Sequence, residues 1–404
     1  ADAQEPSCVP RAFRRLDAGT RNIDAADSVF WGVMKKLTGA AASTRPTDRD
    51  GASHIEVALH ASESIVALRV VGTEHELPLP PKNVMRVGRG TVDVRIPHVG
   101  DRRLVSREHA ELTRQGTEAG TWLQVIDLES RYGTFFKQGR ERDFAVRAGE
   151  RFRLADVELL VMDRSLQRLR HVLGGFFGYS NHRVIDDKLA LIVENKPLLL
   201  IGARGSERGH LAQAIHETSP RRGQPFVTVP KPNADRDTLR PIFKSAANGT
   251  LFVSLDTLGP RAGLGPLVSL LFGPTYNVRP ILAARDLQVV CHALDASTAH
   301  FTPIAIPPVV EWRTDVPAAL DAMLEEIGTP HRVVELGRDR ITALTAYDWP
   351  RNRTELRETA QRLAVLLAHK MNKSAAATAL GEDYETYRRA LARVGAIEVQ
   401  HRGA

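Results

Sequence analysis

Hydrophobic and polar positions change their texture three times along the chain. Between residues 64 and 163, short runs such as SIVALRVV, TWLQVIDL, RFRL and VELLVMD alternate or cluster β-forming residues. Turn-forming stretches separate them: PPKN, VGDRR, RQGTEAG, KQGRER and RAGE. Many short strands at close spacing predict an all-β sandwich. From residue 183 to 367 the pattern switches. Strand-like runs (KPLLLIGA, GTLFVSL) alternate with helical ones (GHLAQAIHE, PAALDAMLEEIG), which predicts an α/β unit with a parallel sheet. The residues after 367 read as helix throughout. LQRLRHVLGGFFGY joins the first two regions, so 164–182 reads as a linker. Residues 1–63 carry one predicted helix over 25–37, then a turn-rich segment, GAAASTRPTDRDGAS, that is expected to stay mobile.

Composition narrows the class. The chain has 404 residues, 43% hydrophobic and 25% charged, as in an ordinary globular protein with room for several domains. No apolar run approaches the roughly 18 residues that span a bilayer. The opening ADAQEPSCVPRAFRR has no apolar stretch behind its positive charges, unlike a secretory leader. Cys8 and Cys291 are the sole cysteines and stand far apart, which argues against a disulfide framework or a cysteine-rich metal site. The expectation is a cytoplasmic protein without metal, cofactor or membrane contact. The net charge is +7, and residues 349–404 contribute ten Lys/Arg against six Asp/Glu, or +4 of it. Nucleic acid, if it is a partner, is therefore expected at the C-terminus.

The β region carries VGR at 87–89, SREHA at 106–110, DLES at 127–130 and YGTF at 132–135. In this order and spacing it resembles forkhead-associated (FHA) domains, β-sandwiches whose loops bind phosphothreonine peptides. The resemblance implies that Arg89 supplies a guanidinium fork and Ser106 a hydroxyl to the phosphate, chemistry that suits a dianion held by rigid loops. Arg107 and Arg131 match loop positions that face the peptide or its phosphate. Gly88, His109 and Gly133 match structural positions, with His109 bracing a loop from inside. One departure stands out: Tyr132 replaces the asparagine whose amide grips the peptide backbone in the family.

LLLIGARGSERGHLAQAIHETSPRRGQPFVTV resembles the start of the AAA+ module of sigma-54-dependent activators, and GTLFVSLDTLG, IPPVVEWRTDVPAAL and DWPRNRTELRE follow in that family's order. A working phosphate loop needs wrapping glycines and a lysine that reaches the β/γ oxygens. Gly202 and Gly205 remain, but Glu207 stands in place of the glycine before the lysine and Arg208 in place of the lysine. The adjacent acids that hold magnesium and activate water are missing: Ser254 and Leu255 occupy those positions, and Asp256 has Thr257 beside it. Val310, Trp312 and Thr354 replace arginines, and no sigma-contact loop lies between PFVTV and GTLF. The expectation is a pseudo-ATPase, an α/β subdomain at 183–310 and a helical lid at 311–368 without turnover.

MNKSAAATALGEDYETYRRALARVGAI reads as helix, glycine turn, helix, with Leu380, Tyr387 and Leu391 on one face. It resembles the Fis-type helix-turn-helix that ends sigma-54 activators, here over 369–404. Carried over by position, Tyr384, Thr386, Arg388 and Arg389 would face DNA, with Lys373 and Arg393 near phosphates. Glu382, Asp383 and Glu385 depart from that pattern, although Asp383 suits a helix N-cap. Together these resemblances imply a transcription regulator with a threonine-phosphorylated partner as input and DNA as output, acting as a dimer or larger homo-oligomer. Its own N-terminal segment is a second candidate ligand, through Thr38, Thr44 or Thr47. The alternative is a phosphopeptide-binding scaffold that has abandoned DNA, a reading kept open by the acids around Asp383.

Overall fold

The computed structural model describes residues 64–398, apart from 98–103, 118–119, 257, 259–263 and 274. The helix expected over 25–37, and Thr38, Thr44 and Thr47, lie outside these residues.

The first region is a two-sheet sandwich. Its strands are β1 (Ile65–Val70), β2 (Glu76–Pro78), β3 (Val84–Gly88), β4 (Val94–Arg95), β5 (Ala110–Thr117), β6 (Gly120–Asp127), β7 (Thr134–Phe136), β8 (Gly139–Arg140), β9 (Asp143–Arg147), β10 (Arg151–Leu154) and β11 (Val157–Asp163). One sheet has the order β2-β1-β11-β10-β7-β8 and the other β4-β3-β5-β6-β9. In β9 only Phe144 and Val146 are buried, the period of two expected when one face meets a core and the other meets water. β11 is different, buried almost from end to end. Leu159 and Val161 point into the sandwich, while Leu160 and Met162 enter a second core outside it.

That second core corrects the reading of 164–182 as a linker. β11 runs straight into α1 (Arg164–Phe177), with the Asp163 carboxylate accepting from Leu166 N–H at 2.8 Å as the cap. Leu166, Leu169, Leu173, Phe176 and Phe177 of α1 pack with Ala67, Leu160 and Met162 from the sandwich. Helix α2 (His182–Val193) adds Ile185, Leu189 and Ile192 to the same cluster. The pattern LxxLxxxLxxFF at 166–177 carries the apolar stripe of a helix, with the pair Gly174 and Gly175 inside it.

Beyond it lies a five-stranded parallel sheet in the order β13-β14-β15-β12-β16. The elements run β12 (Leu198–Gly202), α3 (Arg208–Glu217), β13 (Phe226–Val229), α4 (Arg236–Ser245), β14 (Thr250–Ser254), α5 (Gly265–Leu271), β15 (Arg279–Ala284), α6 (Leu287–Leu294) and β16 (Thr302–Ile306). All residues of β12 and β15 are buried, because helices cover both faces of a parallel sheet. Leu198 and Leu200 join the core under α1 and α2, and Leu199 faces the opposite one.

The remaining helices are α7 (Val316–Ile327), α8 (Arg338–Ala346), α9 (Asn352–Ala368), α10 (Lys373–Leu380) and α11 (Tyr384–Arg393). One hydrophobic core runs through all of them, from Val309 to Ile397, and includes Leu356, Leu363, Ala377, Tyr387 and Leu391. The last two helices, expected as a unit of their own from 369, therefore share the lid's interior. Among the described residues no helix is long and apolar enough to cross a membrane.

Candidate functional site

Three loops meet at one end of the sandwich: the turn after β3, the segment before β5 and the turn between β6 and β7. Backbone bonds fix the first two to each other, since Arg89 N–H donates to Ser106 O and Gly90 N–H to Arg107 O, both at 3.0 Å. Gly88 is required there, because a Cβ would collide with the Arg107 carbonyl. His109 ties in the third loop. Its ring is fully buried, accepts from Ser106 N–H through Nδ1 at 3.1 Å, and meets Gly133 O through Nε2 at 3.2 Å. That pair of contacts fits one tautomer, with the proton on Nε2. Burial pushes the imidazole below its ordinary pKa, so the neutral form is the one in place.

The third loop folds on Asp127. Its carboxylate accepts from Ser130 N–H at 2.8 Å, Ser130 Oγ at 2.6 Å and Thr134 Oγ1 at 2.6 Å. Burial opposes the charge, but these hydrogen bonds hold the carboxyl below its usual range. Ser130 Oγ in turn accepts from Gly133 N–H at 3.0 Å. The sequence reading missed Asp127, Ser130 and Thr134 as loop-building residues. Their signal was an aspartate with a serine three positions on, the pattern of a side chain that bonds its own backbone turn.

This frame brings Arg89, Ser106, Arg107, Arg131 and Tyr132 to one rim. Ser106 Oγ accepts from Arg131 N–H at 3.3 Å, which leaves the hydroxyl proton to be donated elsewhere. The buried Nε of Arg89 has no hydrogen-bond partner among the described residues. Arg107 and Arg131 are exposed, and neither has a carboxylate partner among the described residues. Tyr132 is 41% exposed, with the Arg131 guanidinium 5.4 Å from its ring centroid. The rim therefore offers guanidinium charge and a free hydroxyl, an arrangement complementary to an oxyanion.

At the parallel sheet, the loop after β12 carries Gly205 at φ 78° and Glu207 at φ 56°. Arg208 turns inward to Gly202 O and pairs with Asp256 Oδ2, so its guanidinium is used within the protein. Ser254 ends β14, and Leu255 is fully buried, as a core residue would be. Gly209 follows Arg208, at the position where the general phosphate-loop pattern carries a serine or threonine. Val310 is 40% exposed and Trp312 is buried. Among the described residues no cluster of His, Cys, Asp or Glu is placed to hold a metal.

In the C-terminal pair, Asn372 caps α10 and Asp383 caps α11 through Thr386 N–H at 3.0 Å. Thr386 Oγ1 donates to the same carboxylate at 3.2 Å. Arg388 pairs with Glu385 at 2.9 Å, and Arg389 lies 3.7 Å from it. Arg393 reaches the buried Glu355 of α9 at 2.9 Å, which draws it to the lid. Tyr384 is 41% exposed, and Lys373 stands at the start of α10. Arg362 of α9 grips Glu382 at 2.8 and 3.0 Å, and Tyr387 Oη donates to Arg362 O at 2.9 Å.

Comparison with known proteins agrees with this layout. The pattern that defines the FHA domain matches residues 85–155, so the chain contains an FHA domain. The nitrogen assimilation regulatory protein NtrX of Azorhizobium caulinodans is 24% identical over 209 residues, 43% of this chain and 46% of that protein. The Nif-specific regulatory protein of Azotobacter vinelandii is 25% identical over 246 residues, 49% of this chain and 47% of its own. Crystalline NtrX from Brucella abortus in complex with ADP is 17% identical, covers 52% of this chain and 67% of that one, and has a TM-score of 0.34. The chain spans about half the length of the curated relatives it matches.

Proposed function

We propose that this chain, through the FHA domain it contains, is a phosphothreonine-dependent transcription regulator of the cytoplasm. A threonine-phosphorylated partner docks at the sandwich rim, DNA binds the C-terminal helices, and the α/β region between them turns over no ATP. The observation that carries the reading is the buried Arg89 Nε, without a hydrogen-bond partner among the described residues, on a loop whose backbone is bonded to Ser106. An arriving phosphate would take the Arg89 fork and the Ser106 hydroxyl, with Arg107 and Arg131 adding charge from the rim. Neutral His109 holds the loops in register without competing for the anion. The charged groups are arranged before the ligand arrives, which lowers the ordering cost of binding.

Arg208 supports the silent α/β reading, because its guanidinium is committed to Asp256 and Gly202. Two copies of α11, placed about one duplex turn apart by a dimer, would read a palindromic site. A scaffold without DNA binding is the second reading, favoured by the pairing of Arg388 and Arg389 with Glu385 and of Arg393 with Glu355. Fluorescence polarisation with phosphothreonine peptides and their unphosphorylated twins tests the input. Equal binding of both would refute it. A mobility-shift selection at physiological salt tests the output, and the absence of any preferred DNA sequence would favour the scaffold.

A further inference from the structure

A second charged cluster lies where the loop after β12 meets the lid. The Glu207 side chain is 5% exposed. Its carboxylate accepts from Arg357 at 2.9 and 3.2 Å, and Arg353 Nη2 lies 3.4 Å away. Both arginines project from α9, and neither is free to leave. Arg353 donates to Gly175 O and lies over the Phe176 ring at 3.8 Å, while Arg357 also meets Glu326 at 3.1 Å. The backbone closes the same seam. Thr354 N–H donates to Gly205 O at 3.0 Å, and a Cβ on Gly205 would collide with the Arg351 carbonyl. Beside Glu207, the hydroxyl of Ser206 is buried and has no partner among the described residues.

We propose that this junction is an oxyanion site permanently filled by the chain's own Glu207. Two planar guanidinium forks converging on one buried point suit a carboxylate or a phosphate alike. The backbone gives independent support. Glu207 sits at φ 56°, a conformation that glycine adopts freely and other residues adopt at a cost, yet a carboxylate is kept there. Burial opposes its charge, but Arg353 and Arg357 hold it below its ordinary pKa and therefore ionised. The internal anion joins loop to lid with no ligand added, and it repels a phosphate that approaches from outside. The lid position is thus set by the chain itself rather than by nucleotide concentration. The same loop carries the silent-ATPase reading, on which this role rests, and parallel hydrolysis assays keep the two separate.

The test uses the full chain carrying Arg89→Ala, so that anion binding at the sandwich rim is weakened on the order of a hundredfold. Calorimetry with tripolyphosphate and with ATP should register no binding to that protein. Adding Glu207→Gly empties the site and relieves the left-handed backbone, and tripolyphosphate should then bind at least about tenfold more tightly. A further Arg357→Gln should remove that gain. Independently of folding yield for the glycine variant, Glu207→Gln should raise amide hydrogen exchange in 203–208 and 352–357 about tenfold over the parent. Equal tripolyphosphate affinity with and without Glu207→Gly would overturn the proposal, as would unchanged exchange in Glu207→Gln.

Discussion

Asp186 on α2 accepts a hydrogen bond from Arg69 Nε on β1 at 3.1 Å, and both side chains are almost wholly excluded from water. The same carboxylate takes Arg170 of α1 at 2.8 Å and Gly72 N–H at 2.9 Å. One anion thus pins the sandwich to the two helices that lead into the parallel sheet. Asp186→Ala leaves two guanidiniums without their anion, a loss that costs about 3–5 kcal/mol when buried partners are separated. Urea denaturation followed by circular dichroism should show that drop. A midpoint equal to the parent's would show that the pair is dispensable.

Arg89→Ala should weaken phosphothreonine-peptide binding on the order of a hundredfold, since a charge-assisted pair to a dianion is lost. Ser106→Ala removes one neutral donor and should cost less. Tyr132→Asn supplies the amide that the rim lacks, and it should tighten binding if the peptide backbone passes the ring. Polarisation titrations with one phosphopeptide rank all three.

Protonation of His109 sets a pH limit on the rim. Its folded pKa lies below its unfolded value of about 6.5, so the unfolded chain takes the proton first. The stability it contributes is complete above that pH and is lost as the pH falls towards the folded pKa. His182 and His216 are depressed in the same direction, chiefly by burial. Unfolding midpoints measured from pH 7.5 downwards should therefore fall below about pH 6.5, and less steeply in His109→Gln. Parallel curves for parent and variant would remove His109 from the account.

Much of this architecture is legible in the sequence, and the failures have physical causes. Alternation in β10 and the buried runs of β12 and β14 point to the sandwich and the parallel sheet. The clustered LLVM of β11 also carries a message that the linker reading overlooks. Four apolar residues in a row mean that both faces are covered, and α1 is what covers the outer one. Arg89 and Ser106 can be placed because their motifs are local. The ion-pair partners of Glu207, Arg208 and Arg393 lie 48 to 150 residues away or on another helix, and no local pattern discloses them.

Purified protein should hydrolyse ATP no faster than a blank, with or without magnesium. Arg208→Ala should leave that result unchanged, because Arg208 is bound to Asp256 and Gly202 O. Turnover that the substitution abolishes would show that the loop is catalytic after all.

The DNA reading separates two kinds of arginine. Replacing Arg388 and Arg389 with alanine should weaken DNA binding and flatten its salt dependence, by about one unit of slope for each phosphate no longer neutralised. Arg393→Ala should instead lower thermal stability, since it removes the nearer of two cationic partners from a glutamate that is 2% exposed. A mobility shift that persists after deletion of 371–404 would place the DNA-binding surface elsewhere on the chain.

β11 passes into α1 with no residue between them, and its side chains feed two separate interiors. The FHA domain therefore cannot be excised at the end of its last strand. A fragment stopping at Asp163 would expose Ala67, Val71, Leu160 and Met162 as a sticky apolar face and would leave Arg69 without Asp186. A fragment carried through α2 to Val193 keeps that face covered and keeps Asp186, but it bares the side of α1 and α2 that packs on Leu198 and Leu200 of the parallel sheet, so the sandwich and the sheet share one interior.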